Sequence, residues 1–286
     1  MLLIAYGYYA DRVAPRGEIV LEIDEHEYTY AYLEERVKSD VAQGRFNLRD
    51  TATSVSETIA RIQREELTRT VARQRGITVS DAELDSGVRD GLGLPPELPR
   101  DEIAPALRAE LLRIDLPLDE YLDIVESQVL EKKIKADLTA ALPEEAEQVN
   151  LLYLEAVSQA NAINALKALN EGTEFAAVAA QFSQDPGSRN DGAFGWAPRE
   201  ALDPELADVA FSLTGRSGII ETEENFYIIE VLGKETRPVD PVIIDEIGTR
   251  EFNKLLETAF DETVFLYGLT ESQLIDLANA VGGTFG

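Results

Sequence analysis

Histidine and cysteine, the side chains that most often carry acid–base, nucleophilic or metal chemistry near neutral pH, are almost missing from this chain. There is one histidine, His26, set in a turn between acids, and there is no cysteine. Thiol nucleophiles, disulfide frameworks and cysteine zinc sites are therefore excluded. A lone histidine builds neither a multi-histidine metal centre nor a conventional serine triad, and reads as a surface residue. Acid pairs such as Glu144-Glu145 and Glu223-Glu224 are abundant, but nothing fixes the separation that two glycosidase carboxylates need. No glycine-rich phosphate loop of the Walker type occurs. No cofactor and no metal is expected. The residues that remain are carboxylates, tyrosines and apolar side chains gathered between Gln148 and Pro238. That stretch holds FAAVAAQFSQDPGSRNDGAFGWAPREALDPELADVAF and then ENFYIIEVLG.

The elements that position this stretch follow from composition and period. A chain of 286 residues is long enough for two domains of ordinary size. An apolar fraction of 44% with 28% charged residues is typical of a soluble globular protein. The formal net charge of −28 argues against binding a phosphate backbone, which needs basic patches that displace counterions. It also disfavours anionic membrane surfaces and acidic clients. Most of the acids read as solvated helix faces. The N-terminal run MLLIAYGYYA is about half the length of a spanning helix and lacks the basic start and cleavage site of a signal peptide. Residues 1–17 read two ways, as an ordinary segment or as the tail of a membrane anchor. Tyr6, Tyr8 and Tyr9, at the level where interfacial tyrosines gather, favour the second.

Residues 18–30 alternate around Asp24-Glu25 and predict one strand and a turn leading into a helix capped by Thr29. Val55, Ile59, Ile62, Leu67 and Val71 predict a long amphipathic helix over 51–75, stopped at Gly76. Ser80 with Glu83 is a capping box and starts the next helix. Residues 91–117 open with Pro and Gly and predict an irregular insertion with one short helix near 101–113. Residues 118–141, with Leu118, Val125, Ile134 and Leu138 in helical period, predict a second long helix ending before Pro143. The helical period returns from Ile243 to Val264, and a last helix, Glu271 to Ala280, ends at Gly282-Gly283.

Between Gln148 and Pro238 the order is strand, helix, glycine-rich turn, second helix and closing strand. GTEFAAVAAQFSQD, DGAFGW and NFYIIEV, in that order, resemble the parvulin (PpiC-like) family of peptidyl-prolyl isomerases. The helical region before them, with its phrase GITVSDAEL, resembles the chaperone lobe of SurA-like and PrsA-like secretion foldases. The resemblance implies an α+β fold: a mostly helical lobe over 18–147, a small antiparallel sheet flanked by helices over 148–238, and C-terminal helices over 239–286 that pack back on the lobe. It also assigns roles. Asp185 falls where the family has the carboxylate or thiol beside the reacting amide. Tyr153 and Tyr227 stand where parvulins usually carry histidines. Phe194, Leu202 and Leu206 map onto the proline cup, with Phe211 the phenylalanine of the same helix. Asp191 and Ala193 depart from the family's glycine turn.

Prolyl isomerisation makes and breaks no bond, but must cross an amide rotation barrier of about 18–20 kcal/mol. An enzyme has to hold the ring and bind the twisted amide better than the planar one. The resemblance thus implies a foldase for secreted proteins, outside the cytoplasm and anchored on the outer face of a bacterial membrane. Its partners would be unfolded or proline-containing polypeptides and not nucleic acid, and its lobe would expose an apolar groove for them. A Tyr153–Tyr227 hydroxyl pair would replace the histidine pair, with prolyl isomerase activity weakened. The alternative is an inactive parvulin-like holdase or assembly protein.

Overall fold

The computed structural model describes residues 15–185, 191–222 and 225–282. Of residues 1–17, expected as the tail of an anchor, 1–14 lie outside the described residues. No helix among the described residues is long and apolar enough to cross a membrane. The chain forms two compact units, one made of residues up to Asp137 and from Glu251 onward, the other of Leu138–Arg250.

The first unit begins with a hairpin. β1 (Ile19–Ile23) pairs antiparallel with β2 (His26–Thr29), Ile23 opposite His26. Sequence reading made this one strand and a turn. The chain instead folds straight back at Asp24-Glu25, because Asp24 takes a left-handed conformation (φ 52°) that aspartate tolerates better than most residues. Thr29 then caps α1 (Tyr30–Ala42), its side chain accepting from the Tyr32 amide. α2 (Thr51–Arg75) ends at Gly76, whose φ of 68° suits glycine at a helix C-terminus. Leu33, Val37, Val55 and Ile62 of these helices bury against Val20, Leu21 and Ile23.

The predicted capping box opens α3 (Asp81–Gly91): the Ser80 amide donates to Glu83 Oε2 at 2.8 Å, and the Glu83 amide donates to Ser80 Oγ at 3.4 Å. The expected insertion carries the helix that sequence places near 101–113, α4 (Arg100–Ile114). Its Ile103 and Ile114 join Val88, Tyr121 and Val125 in a second core, which rewards helix formation despite the Pro-rich start. α5 (Leu118–Thr139) follows.

The second unit is built on β3 (Glu145–Ala156), which pairs antiparallel along its whole length with β7 (Phe226–Pro238). β4 (Ala193–Pro198) lies on the other side of β3, and the short β5 (Gly215–Arg216) and β6 (Ile220–Glu221) pair with β7. The predicted glycine turn is confined to Asp191-Gly192; the residues after it are strand. Gly192 has φ 70°, and a Cβ there would lie 2.9 Å from the Phe175 ring, so both backbone and space require glycine. Side chains alternate across β3. Leu154 and Ala156 meet α6 (Gln159–Asn170) and α7 (Phe175–Phe182) on one face. Val149 and Leu151 meet α8 (Pro204–Ser212) on the other. The chain continues through α9 (Pro241–Glu262). The first unit is completed by β8 (Phe265–Tyr267), which pairs with β1, and α10 (Glu271–Ala280). This is an α+β protein, mostly helical with antiparallel sheets.

Candidate active site

The site lies on the α8 face of the second unit. The two-residue period of β3 puts Leu151, Tyr153 and Glu155 on that face, and β7 adds Tyr227 and Ile229. Tyr153 sits opposite Ile229 and Glu155 opposite Tyr227, which makes the two tyrosines diagonal neighbours across the strand pair. Asp185 arrives from the segment after α7. That segment is stitched to β3: the Gln184 amide donates to the Glu155 carbonyl at 2.9 Å, and Ser183 Oγ accepts from the Glu155 amide at 3.2 Å. The Tyr153 amide donates to the Gly192 carbonyl at 2.7 Å, which holds the glycine turn beside the site.

These elements enclose a cavity of about 140 Å³. Six of the seven residues singled out from sequence line it: Tyr153, Asp185, Phe194, Leu202, Leu206 and Tyr227. Leu202 and Leu206 are buried and form an apolar floor, whereas Phe194 is 41% exposed at the rim. Phe194 packs edge-on against the Tyr153 ring, with centroids 5.2 Å apart. Phe211 does not line the cavity. Its ring packs beside the α8 core with the Arg199 guanidinium 4.8 Å from its centroid.

Tyr153 donates its hydroxyl hydrogen to Asp185 Oδ2. The expected tyrosine-to-tyrosine bond is therefore not how that hydrogen is used, because a nearby carboxylate is the stronger acceptor. Burial, and then the Asp185 hydrogen bond and charge, push the Tyr153 hydroxyl well above its ordinary range. Burial, followed by the charges of Glu155 and Asp203, pushes Tyr227 up to about 12. Both rings stay neutral at any physiological pH. Sequence reasoning missed Glu155 and Asp203, which line the same cavity. Glu155 is held by Asn225 Nδ2 at 2.6 Å, and Asp203 precedes Pro204 at the start of α8. The two-residue spacing from Tyr153 was the available signal for Glu155. No lining residue among those described is cationic. Nor does any group of three or more His, Asp or Glu among the described residues offer a metal site. The arrangement can seat an apolar ring on Leu202 and Leu206 and present a carboxylate, Asp185, held by the Tyr153 hydroxyl in the same wall.

A family model for the PPIC-type PPIASE domain matches residues 125–235. A peptidyl-prolyl cis-trans isomerase, pin4, of Neurospora crassa is 32% identical over 96 residues, which is 32% of this chain and 73% of that protein. The chaperone SurA of Methylobacillus flagellatus is 23% identical over 84% of this chain and 62% of its own length. The foldase protein PrsA of Caldanaerobacter subterraneus is 27% identical over 68% of this chain and 62% of its own length. The chain belongs to the PPIC-type, or parvulin-type, peptidyl-prolyl isomerase family. It spans less than two thirds of the length of the SurA and PrsA relatives it matches.

Proposed function

We propose that this protein is an extracytoplasmic foldase whose α/β unit binds X–Pro segments and speeds their cis–trans isomerisation. The observation that carries the reading is the cavity lined by Leu202, Leu206 and Asp185, in a chain of the parvulin-type family. Leu202, Leu206 and Phe194 hold the proline ring. Asp185, oriented by the Tyr153 hydroxyl, faces the twisted amide, and Tyr227 walls the cavity beside it. Isomerisation requires no proton transfer, so neutral tyrosines suffice where the resemblance puts histidines. The names of the SurA and PrsA relatives, a chaperone and a foldase, support unfolded polypeptides as clients of the first unit. The absence of cysteine is compatible with an oxidising exterior compartment. Attachment to a membrane through the N-terminal residues belongs to the same proposal, and cell fractionation tests it.

The deciding measurement is NMR exchange between the cis and trans forms of an Ala-Pro peptide. Exchange no faster with protein than without it removes the isomerase reading. A second reading is a binding module without turnover, favoured by tyrosine at both family histidine positions. It predicts protection of unfolded proteins from aggregation with unaccelerated exchange.

A further inference from the structure

A cleft of about 580 Å³ between the β1–β2 hairpin, α1, α2 and α5 is not the apolar groove expected of a client-binding lobe. Six of its lining residues are acidic, three are arginines, and burial there raises the Glu120 carboxyl to about 7. Apolar surface gathers instead at the rim of the three-stranded sheet. Phe260, Val264, Leu266 and Tyr267 are each between 47% and 60% exposed. Phe260 stacks on Phe265 with ring centroids 4.7 Å apart, where α9 runs into β8.

β8 is the last strand of this sheet, whose order is β2-β1-β8. Two bonds to β1 fix which way its backbone groups point. The Asp24 amide donates to the Val264 carbonyl at 2.9 Å, and the Gly268 amide donates to the Val20 carbonyl at 3.0 Å. Glu22 pairs with Leu266 midway between them. In an antiparallel ladder the hydrogen-bonded pairs recur at every second residue, so Val264, Leu266 and Gly268 face β1. The amides and carbonyls of Phe265 and Tyr267 therefore face outward, and they bond to no other strand among the described residues. The charge around this edge has one sign. Asp24 and Glu25 lie at the Val264 end, Asp24 Oδ1 accepting from the Val264 amide at 3.0 Å. Asp261 and Glu262 precede the strand, Glu271 follows it, and residues 18–29 and 261–282 contain no lysine or arginine. From α2 comes a neutral contact, Gln63, which donates to the Tyr267 hydroxyl.

We infer that the outer edge of β8 takes a further strand, an extended client segment with alternate apolar residues and basic residues at its ends. The outward main-chain groups bind any extended backbone, and the side chains beside them set the preference. Apolar residues opposite Phe265 and Tyr267 cover the exposed ring surface, and the basic ends meet the acids on either side. A second copy of this chain would bring the same acids together, which disfavours it as the occupant. That the strand comes from a client rests on the foldase reading; the edge itself does not depend on prolyl isomerisation.

The test titrates the full chain with acetyl-Lys-Ile-Thr-Val-Thr-Ile-Lys-amide, which lacks proline and so is no substrate for the Asp185 cavity. In the bound peptide the isoleucine and valine amides face β8. Methylating those nitrogens should weaken binding about tenfold or more, through lost main-chain hydrogen bonds. Methylating the threonine nitrogens, which face away, should change it by less than about threefold. Exchanging both lysines for glutamates should weaken binding about tenfold or more at low salt, an effect that fades at high salt. Deuterium exchange of the Phe265 and Tyr267 amides should slow at least about fivefold on binding. Tyr267→Pro removes one outward donor, which an edge strand tolerates on that side, and should cut affinity about fivefold or more with the fold intact. No detectable binding overturns the inference, as does equal affinity for the two methylated forms, indifference to the change of end charge, or undiminished binding by folded Tyr267→Pro. If that variant does not fold, the peptide series on the wild type decides. Dimerisation that slows the same two amides without peptide also overturns it, since the edge then belongs to a second copy. Prolyl exchange of an Ala-Pro peptide on the same samples separates this result from the fate of the isomerase reading.

Discussion

Replacing Tyr153 with phenylalanine removes one hydroxyl and leaves everything else in the cavity wall in place. The ring keeps its edge contact with Phe194 at 5.2 Å, so the cup retains its shape. Asp185 loses the hydrogen bond from the Tyr153 hydroxyl. A hydrogen bond to a charged group contributes about 1.5–3 kcal/mol, and for a half-buried tyrosine the lower end applies. If that bond serves mainly the twisted amide, kcat/KM falls roughly tenfold, since about 1.4 kcal/mol is one decade of rate. Affinity for the ground-state peptide should change by no more than about twofold, because the cup is untouched. Tyr153→Ala should lose more, adding about 0.5–1.5 kcal/mol for the aromatic contact and opening the rim. NMR exchange on an Ala-Pro peptide gives the rates, and peptide titration gives the affinities. A Tyr153→Phe protein that exchanges as fast as wild type refutes the role given to the Tyr153–Asp185 bond. A loss seen only as weaker binding would do the same.

Other expectations are open to measurement. Burial and neighbouring carboxylates hold both tyrosines neutral, so the pH–rate profile should show no tyrosine ionisation below about pH 10. Leu206→Ala should reduce stability by about 2–3 kcal/mol in urea unfolding and weaken proline-peptide binding in parallel, since Leu206 is buried in the floor. Gly87→Ala, ordinarily worth about 1 kcal/mol to a helix, should instead destabilise by about 1–2 kcal/mol. Its Cβ would lie 2.6 Å from Val129 Cγ2 and 2.8 Å from Val125 Cγ1, both on stiff β-branched side chains. Glu120 titrates near 7 in the fold and near 4.5 unfolded, so between those values the unfolded state sheds its proton first and stability falls as pH rises. Glu120→Gln should therefore gain on wild type across that window and match it at pH 4, as thermal melts will show.

Local signals were legible in the sequence where one short segment decides the outcome. Thr29, Gly76 and the Ser80–Glu83 pair each satisfy helix ends by themselves, and each was readable. The cavity residues could be placed because the family resemblance supplied the tertiary arrangement that periodicity cannot. What escaped depends on distant partners. β8 is three residues of FLY, too short to carry a period, and it is a strand only because β1 offers an edge. The Tyr153 hydrogen bond turned on where the segment after α7 comes to rest, which no spacing encodes. Phe211 stood at the expected place in α8, yet its ring lies outside the cavity.

The pairing of β1 with β8 makes the first unit discontinuous in the chain, and this has a consequence for biosynthesis. Leu21 meets Tyr267, the Tyr30 hydroxyl donates to the Gln273 carbonyl at 3.4 Å, and fully buried Leu277 fills the core around Leu33. The residues from Leu138 to Arg250 are contiguous and can fold as soon as they emerge. The earlier-made residues cannot finish. Roughly 240 residues separate β1 from β8, so at about 5–20 residues per second the first strand waits about 10–50 s for its neighbour. During that interval Val20, Leu21 and Ile23 belong to a sheet with an open edge. Glu18, Glu22, Asp24, Glu25 and Glu27 surround them in the sequence. Charges so placed discourage edge-to-edge pairing between nascent chains. The first strand thus carries, in its flanking charges, a guard against misfolding while the chain is made.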